Sequence, residues 1–281
     1  MAAPGGLDEG GGLLEGAVPA HLGSSPGRGY TPRMLANLAK RTLIGTRWEE
    51  PFRYLHAKLT GHRGSLYDSQ TIAVMRRVLR PGELGVDVGA FEGAFLRHMM
   101  RIAPGMKHYA FEPNPDQFAK LAALFPGMNV RPYAIGAEPG SATFHCMVEH
   151  PALSGLSARE RDHAGEERRE VTVTVETLDR MLPADAPVRL VKVDVEGAEL
   201  GVFRGGMETL RRNRPYVLFE CGIGGADYFG SEPSAIFETL TEAGLRISLL
   251  GSWLASAGPL SRSEFVEQFD QRLNYFFLAH P

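Results

Sequence analysis

The sequence predicts an α/β fold, a mostly parallel sheet with helices on both faces, preceded by a helical appendage. Three observations carry that prediction. From Leu84 onward, short β-branched and aromatic runs alternate with stretches whose apolar residues recur every three or four positions, as in successive right-handed βαβ units. At the first strand-to-helix junction, "VDVGAFEG" (86–93) sets two glycines four residues apart, where the backbone can turn sharply and approach a neighbour closely. Four carboxylates, Asp87, Glu112, Asp194 and Glu220, fall at the ends of predicted strands, the rim at which open α/β sheets bind ligands.

The elements follow in order. Residues 1–28 are dominated by Gly, Pro and Ser, bury too little to offset ordering entropy, and are expected to form a disordered tail. That start lacks the basic and apolar runs of a signal peptide. Residues 29–66 hold two amphipathic stretches, "TPRMLANLAKRTL" and "EEPFRYLHAKL", read as a helical cap. The main domain, 67–281, begins with helix "SQTIAVMRRVL", which Pro81 and Gly82 stop before the strand Leu84–Val88. Helix Glu92–Arg101, a strand ending in "YAFE" and helix Pro115–Leu124 come next. "NVRPYAIG" reads as one strand, and "SATFHCM" and "VTVTVETL" as a hairpin-like pair around a long charged loop. "RLVKVDV" is a buried strand with "GVFRGGMETLRR" as its helix. Strand "YVLFECG", helix "PSAIFETLTEAG" and strands "RISLL" and "NYFFLAH" complete the chain.

With 30 Lys and Arg against 33 Asp and Glu, and a formal net charge of −3, no basic field exists to gather nucleic acid or anionic lipid. No apolar run has membrane-spanning length. The only two cysteines, Cys146 and Cys221, make neither a metal-ligand spacing nor a disulfide framework, so a reducing cytoplasm is expected.

The glycine turn is G-x-x-x-G, Gly89 to Gly93, with an acid two residues upstream; a dinucleotide site needs G-x-G-x-x-G. Carboxylates around the turn repel a pyrophosphate and suit a ligand with sulfonium and ammonium cations, which S-adenosylmethionine is. Glu112, 25 residues beyond Asp87, is placed to accept hydrogen bonds from ribose hydroxyls. The alternative is structural: the glycines permit tight strand–helix packing and Glu112 caps the helix that begins near Asn114.

"GVDVGAFEGAF", "AFEPNPDQFAKL", "YAIGAEPGSATF", "VTVETLD", "LVKVDVEGAELGVFRGG" and "YVLFECG", in that order, resemble the FkbM-type methyltransferases, a branch of the class I S-adenosylmethionine-dependent enzymes. The resemblance spans roughly residues 67–281, and "KVDVEGAE" is its most specific part. It implies a Rossmann-like, seven-stranded sheet and methyl transfer to a hydroxyl oxygen of a sugar, glycoside or other secondary metabolite. By that likeness the cofactor residues are Asp87, Gly89, Ala90, Gly93, Glu112, Pro113, Ala134, Ile135 and Asp194. Asp87, Gly89 and Gly93 surround the methionine moiety, Glu112 holds the ribose, and 129–135 lie near adenine. Phe91 stands where the family commonly has Asn.

Methyl transfer needs an acceptor oxygen aligned with the methyl carbon and its proton removed or stabilised. Asp194, ending its strand, is the expected orienting group or base, with Glu196 beside it and Lys192 on the same strand face. The structural alternative pairs Lys192 with Asp194 and assigns Glu196 or Glu199 to the following helix N-terminus. Asp194 and Glu220 end strands expected to be neighbours, but no third oxygen ligand is placed, so no metal is expected. His145, His150 and His163 are further candidate bases, while Ser154–Ser157 and "GIGGADYFG" are candidate walls of the acceptor pocket. A non-catalytic S-adenosylmethionine-binding scaffold and a nicotinamide enzyme compete with the methyltransferase reading. The extra "KVDVEGAE" motif disfavours the first and the missing G-x-G-x-x-G the second.

Overall fold

A computed structural model describes residues 63–156, 167–223 and 232–281. The expected tail, the two N-terminal helices of the cap, His163 and most of "GIGGADYFG" lie outside the described residues. Helix α1, Arg63–Val78, starts earlier than predicted and ends with Arg76 and Arg77, cations that suit a helix C-terminus. Then come β1 (Leu84–Val88), α2 (Ala94–Ile102), β2 (Tyr109–Phe111), α3 (Pro115–Leu124), β3 (Asn129–Arg131), β4 (Tyr133–Ile135) and β5 (Gly140–Met147). After a 3-10 turn at Pro151–Leu153 follow β6 (Arg168–Glu176), α4 (Leu178–Met181), β7 (Val188–Val193), α5 (Glu199–Arg204), α6 (Met207–Asn213) and β8 (Tyr216–Glu220). The chain ends with α7 (Pro233–Glu242), β9 (Arg246–Leu249), α8 (Leu250–Leu254), α9 (Arg262–Asp270) and β10 (Phe276–His280).

Seven strands form one sheet in the order β3-β2-β1-β7-β8-β10-β9. β10 runs antiparallel to both β8 and β9, and the pairings from β3 to β8 are parallel. This is the doubly wound order of a Rossmann-like sheet with one antiparallel strand inserted, and strand order reverses between β1 and β7. All five residues of β1 are buried, as a strand covered on both faces requires. Alternation sorts the layers: Val191, Val193, Val217 and Phe219 pack with Phe203, Phe265 and Phe277 on one face, and Leu190, Leu218 and Leu278 with Met75, Leu79 and Met99 on the other.

Three predicted elements change. "NVRPYAIG" is two strands, because Pro132 has no N–H to continue a ladder; β3 pairs with β2, whereas β4 leaves to join β6 and β5 in a separate three-stranded sheet. The single helix expected after β7 is broken at Gly205-Gly206. There a Cβ on Gly205 would lie 2.0 Å from the carbonyl oxygen of Gly136, so the chain turns where β4 exits. α2 begins at Ala94 because Gly93, at φ 73°, is its N-cap. Three short helices were not predicted, α4, α8 and α9; for α9 the capping box of Ser261 and Glu264 was a signal present in the sequence.

Candidate active site

A cavity of about 300 Å³ opens at the carboxyl ends of β1, β2, β7 and β8, on both sides of the strand-order reversal. Its wall includes Gly89 to Glu92, Phe95, Glu112, Pro113, Ile135, Phe144, Lys192, Asp194 to Glu196, Ala198 and Glu220. Pro151, Ala152, Ser154 and Leu156, from the segment after β5, close another side. Of the predicted cofactor residues, Gly89, Ala90, Glu112, Pro113, Ile135 and Asp194 line it; Asp87, Gly93 and Ala134 do not. No histidine is among its described lining residues, and His145 instead lies 3.5 Å from Glu170.

The glycine turn between β1 and α2 passes through the left-handed region three times, at Gly89 (φ 77°), Phe91 (φ 47°) and Gly93 (φ 73°). What the glycines make room for is protein. A Cβ on Gly89 would lie 1.8 Å from the carbonyl oxygen of Asp194, and one on Gly93 would lie 2.4 Å from the Phe125 ring. The packing alternative therefore accounts for their missing side chains, although Gly89 also borders the cavity. Phe91 has no such excuse; a bulky side chain in this region carries backbone strain that Asn or Gly relieves.

Glu112, just past β2, secures this turn. One carboxylate oxygen accepts the Phe91 N–H at 2.7 Å, and the other accepts the Asn114 N–H at 2.9 Å. The cap of α3 is Asn114 itself, whose Oδ1 accepts the Asp116 N–H. Burial, only partly offset by those backbone donors, raises the Glu112 carboxyl to about 7.

Asp87 is sealed beneath the site. It is fully buried, neither oxygen has a hydrogen-bond partner, and Lys192 Nζ stands 3.8 Å away. Burial raises its carboxyl to about 6 against the pull of Lys192. Lys192 also reaches Asp194 at 3.1 Å and lies 4.8 Å from the centre of the Phe95 ring. Burial works against the ammonium, but the Asp194 and Asp87 charges outweigh it, so its pKa rises and it remains a cation. The predicted Lys192–Asp194 pair is present, and Asp87 is a second partner that sequence reasoning did not assign to it.

The turn between β7 and α5 is secured by an acid too. One oxygen of the fully buried Glu199 accepts the N–H of both Val195 (3.1 Å) and Gly197 (3.2 Å), and burial raises the carboxyl to about 7. Glu196 takes the left-handed conformation (φ 58°) and lines the cavity. Oxygens of Asp194, Glu196 and Glu220 lie within 4.8 Å of one another, so Glu196 is the third oxygen donor that sequence alone did not place beside Asp194 and Glu220. Burial, then the charges of Asp194, Glu196 and Glu199, push the Glu220 carboxyl well up, and it is hydrogen-bonded to Asp194. No helix among the described residues is long and apolar enough to cross a membrane.

The cavity fits a cationic ligand with a diol: Glu112 presents a carboxylate fixed by backbone donors, the acids at 194, 196 and 220 favour positive charge, and Ile135, Phe144 and Ala198 supply apolar walls.

The family model described as Methyltransferase FkbM domain matches residues 87–247. The chain is 30% identical over 141 residues to "Methyltransferase 1" of Beauveria bassiana, covering 43% of this chain and 57% of that protein. It is 27% identical over 150 residues to "2-O-methyltransferase NoeI" of Sinorhizobium fredii, covering 48% of this chain and 62% of that one. It thus spans less than two thirds of the length of these curated relatives. Among solved structures, the methyltransferase FkbM of Methylobacillus flagellatus aligns with a TM-score of 0.44 and 13% identity, over 89% of this chain and 59% of the other.

Proposed function

The chain belongs to the methyltransferases with an FkbM domain, and from that premise we propose that it methylates a hydroxyl oxygen of a small molecule, a sugar, glycoside or other secondary metabolite. The methyl donor is S-adenosylmethionine, which when bound supplies an electrophilic methyl group. Glu112 accepts the ribose hydroxyls, each of its oxygens being already oriented by one backbone N–H. Gly89, Ala90 and Pro113 border the donor, Ile135 the adenine, and the apolar walls keep water from the reacting centre. Asp194 orients the acceptor hydroxyl or takes its proton, and Lys192, 3.1 Å away, fixes its carboxyl group in place. Glu196 flanks the same position. Asp87 and Gly93 act from beneath, through Lys192 and through helix packing.

The observation that most supports this reading is Asp194, a partly exposed carboxylate on the cavity wall with a buried cation behind it. It also yields the test. Asp194→Asn keeps the side-chain volume but removes the nearer partner of buried Lys192 and leaves Asp87 at 3.8 Å, so the variant should lose thermal stability, and its rate is read per folded, cofactor-saturated molecule. Its single-turnover rate, followed as labelled methyl transferred from S-adenosylmethionine to hydroxylated metabolites, should fall about 10²–10⁴-fold. A wild-type rate in a folded variant rejects Asp194 as the acceptor-directing group. Both cysteines are buried and free, which suits a reducing compartment, and the cytoplasm is the proposed location.

A further inference from the structure

Among the described residues, five that are not glycine hold a positive φ: Phe91, Glu196, Arg214, Ser256 and Arg272. Arg214, Ser256 and Arg272 stand just past the ends of α6, α8 and α9, where a left-handed residue commonly closes a helix. Phe91 and Glu196 close no helix. They lie in the two turns that meet where Gly89 abuts the Asp194 carbonyl, and both line the cavity.

The fold does not ask for a phenylalanine at position 91. Its N–H is held by Glu112 at 2.7 Å, and the Gly93 N–H by the Ala90 carbonyl at 2.7 Å, bonds that glycine or asparagine would allow with less strain. The Phe91 ring is half-buried and belongs to none of the apolar clusters formed by the described residues. Phe95 and Phe144, which also line the cavity, differ in this respect. Phe95 packs against the cluster of Met75 and Met99 and faces Lys192, while Phe144 packs with Cys146 and Val173. A strained residue kept without help from core packing is kept for what fills the cavity.

On the reading that this cavity holds the methyl donor, the neighbours of Phe91 fix which part of the donor it meets. Phe91 is tied through its N–H to Glu112, at the ribose, and stands two residues beyond Gly89, which touches Asp194 at the methyl end. Between ribose and methyl group lies the sulfonium. That cation has no N–H to give a carboxylate; its charge is spread over C–H groups, which suit the negative face of an aromatic ring. We propose that Phe91 is a specificity-determining residue whose ring packs against the sulfonium and favours the charged donor over the spent, neutral one. When the methyl carbon passes to the acceptor oxygen, the electron pair of the C–S bond stays on sulfur and the acceptor proton leaves. The resulting thioether is neutral, so the attraction to the ring ends with the transfer.

The test measures the affinity of the full chain for S-adenosylmethionine and for S-adenosylhomocysteine by calorimetry and takes the ratio, because the two ligands differ only in the methyl group and its charge. Phe91→Leu keeps an apolar side chain and the net charge but removes the π face. It should weaken S-adenosylmethionine by about fivefold or more and S-adenosylhomocysteine by less than about twofold, whereas Phe91→Tyr should keep the wild-type ratio within about twofold. Phe91→Asn, which relieves the backbone, should melt no lower than wild type and lose the preference as leucine does, so the ratio is still read if Phe91→Leu does not fold. Equal weakening of both ligands, or weakening of neither, in the folded ring-free variants overturns the role of Phe91 at the sulfonium. A wild type that binds neither ligand overturns the donor-site reading itself, and this inference with it.

Discussion

Two turns meet at the point where the sheet reverses, and each is held by one glutamate. Between β1 and α2 the backbone goes left-handed at Phe91, and between β7 and α5 at Glu196; in both, a carboxylate raised to about 7 by burial accepts two backbone N–H groups. The two turns differ in where the accepting acid comes from. Glu112 reaches across from the neighbouring strand, 21 residues from Phe91, and uses one oxygen for each N–H. Glu199 sits on the helix its own turn opens, and one oxygen serves both. The first arrangement leaves a carboxylate at the edge of the cavity, and the second leaves one wholly enclosed. Residue type and hydrogen-bond pattern are nearly the same; access to ligand is set by which element carries the acid.

The sharpest break of that comparison is in cofactor affinity. Glu112→Ala should lose about 2–4 kcal/mol of S-adenosylmethionine binding by calorimetry, the value of two charge-assisted hydrogen bonds. Glu199→Ala, offered the same ligand at a temperature where it is folded, should lose far less. Equal losses would mean that the two acids act alike, through the shape of the turns.

A change of pH separates them further. The Glu199 carboxyl is raised from an ordinary 4.5 to about 7, so its contribution to stability is fully present below about 4.5 and is lost as pH rises through 7. Glu199→Gln keeps a single oxygen for both N–H donors and does not titrate. Relative to wild type the variant should therefore gain stability from pH 5 to pH 8, by on the order of 2 kcal/mol, in thermal melts. Glu112→Gln has only one oxygen for two donors on separate oxygens, and should destabilise throughout that range. A flat difference between Glu199→Gln and wild type would show that the enclosed acid does not change protonation on folding.

The smallest expected effect concerns the strained residues. Phe91→Asn should stabilise the first turn by about 1 kcal/mol, the strain of a bulky side chain at φ 47°. A loss of stability would mean that the packing of the Phe91 ring outweighs the strain in its backbone.

Much of this site was legible as sequence. The ends of β1, β2, β7 and β8 were predictable because buried parallel strands need unbroken apolar runs, and an acid that interrupts such a run marks where the strand reaches the rim. α3 was predicted with its observed bounds, since Asn114 and Pro115 are strong start signals. Pro132 was in plain view as well, and its missing N–H should have divided "NVRPYAIG". What sequence could not supply was anything that depends on the distance between segments far apart in the chain. Asp87 and Glu112 are both strand-end acids, yet one lies sealed against Lys192 and the other lines the cavity, because β1 is central and closed over by its neighbours. Likewise the Gly89 gap is filled by a carbonyl 105 residues away, and Glu196 joins Asp194 and Glu220 only once β7 and β8 are paired. Local propensity and periodicity reach a few residues along the chain; burial, electrostatic environment and the convergence of side chains exist only after the sheet has closed.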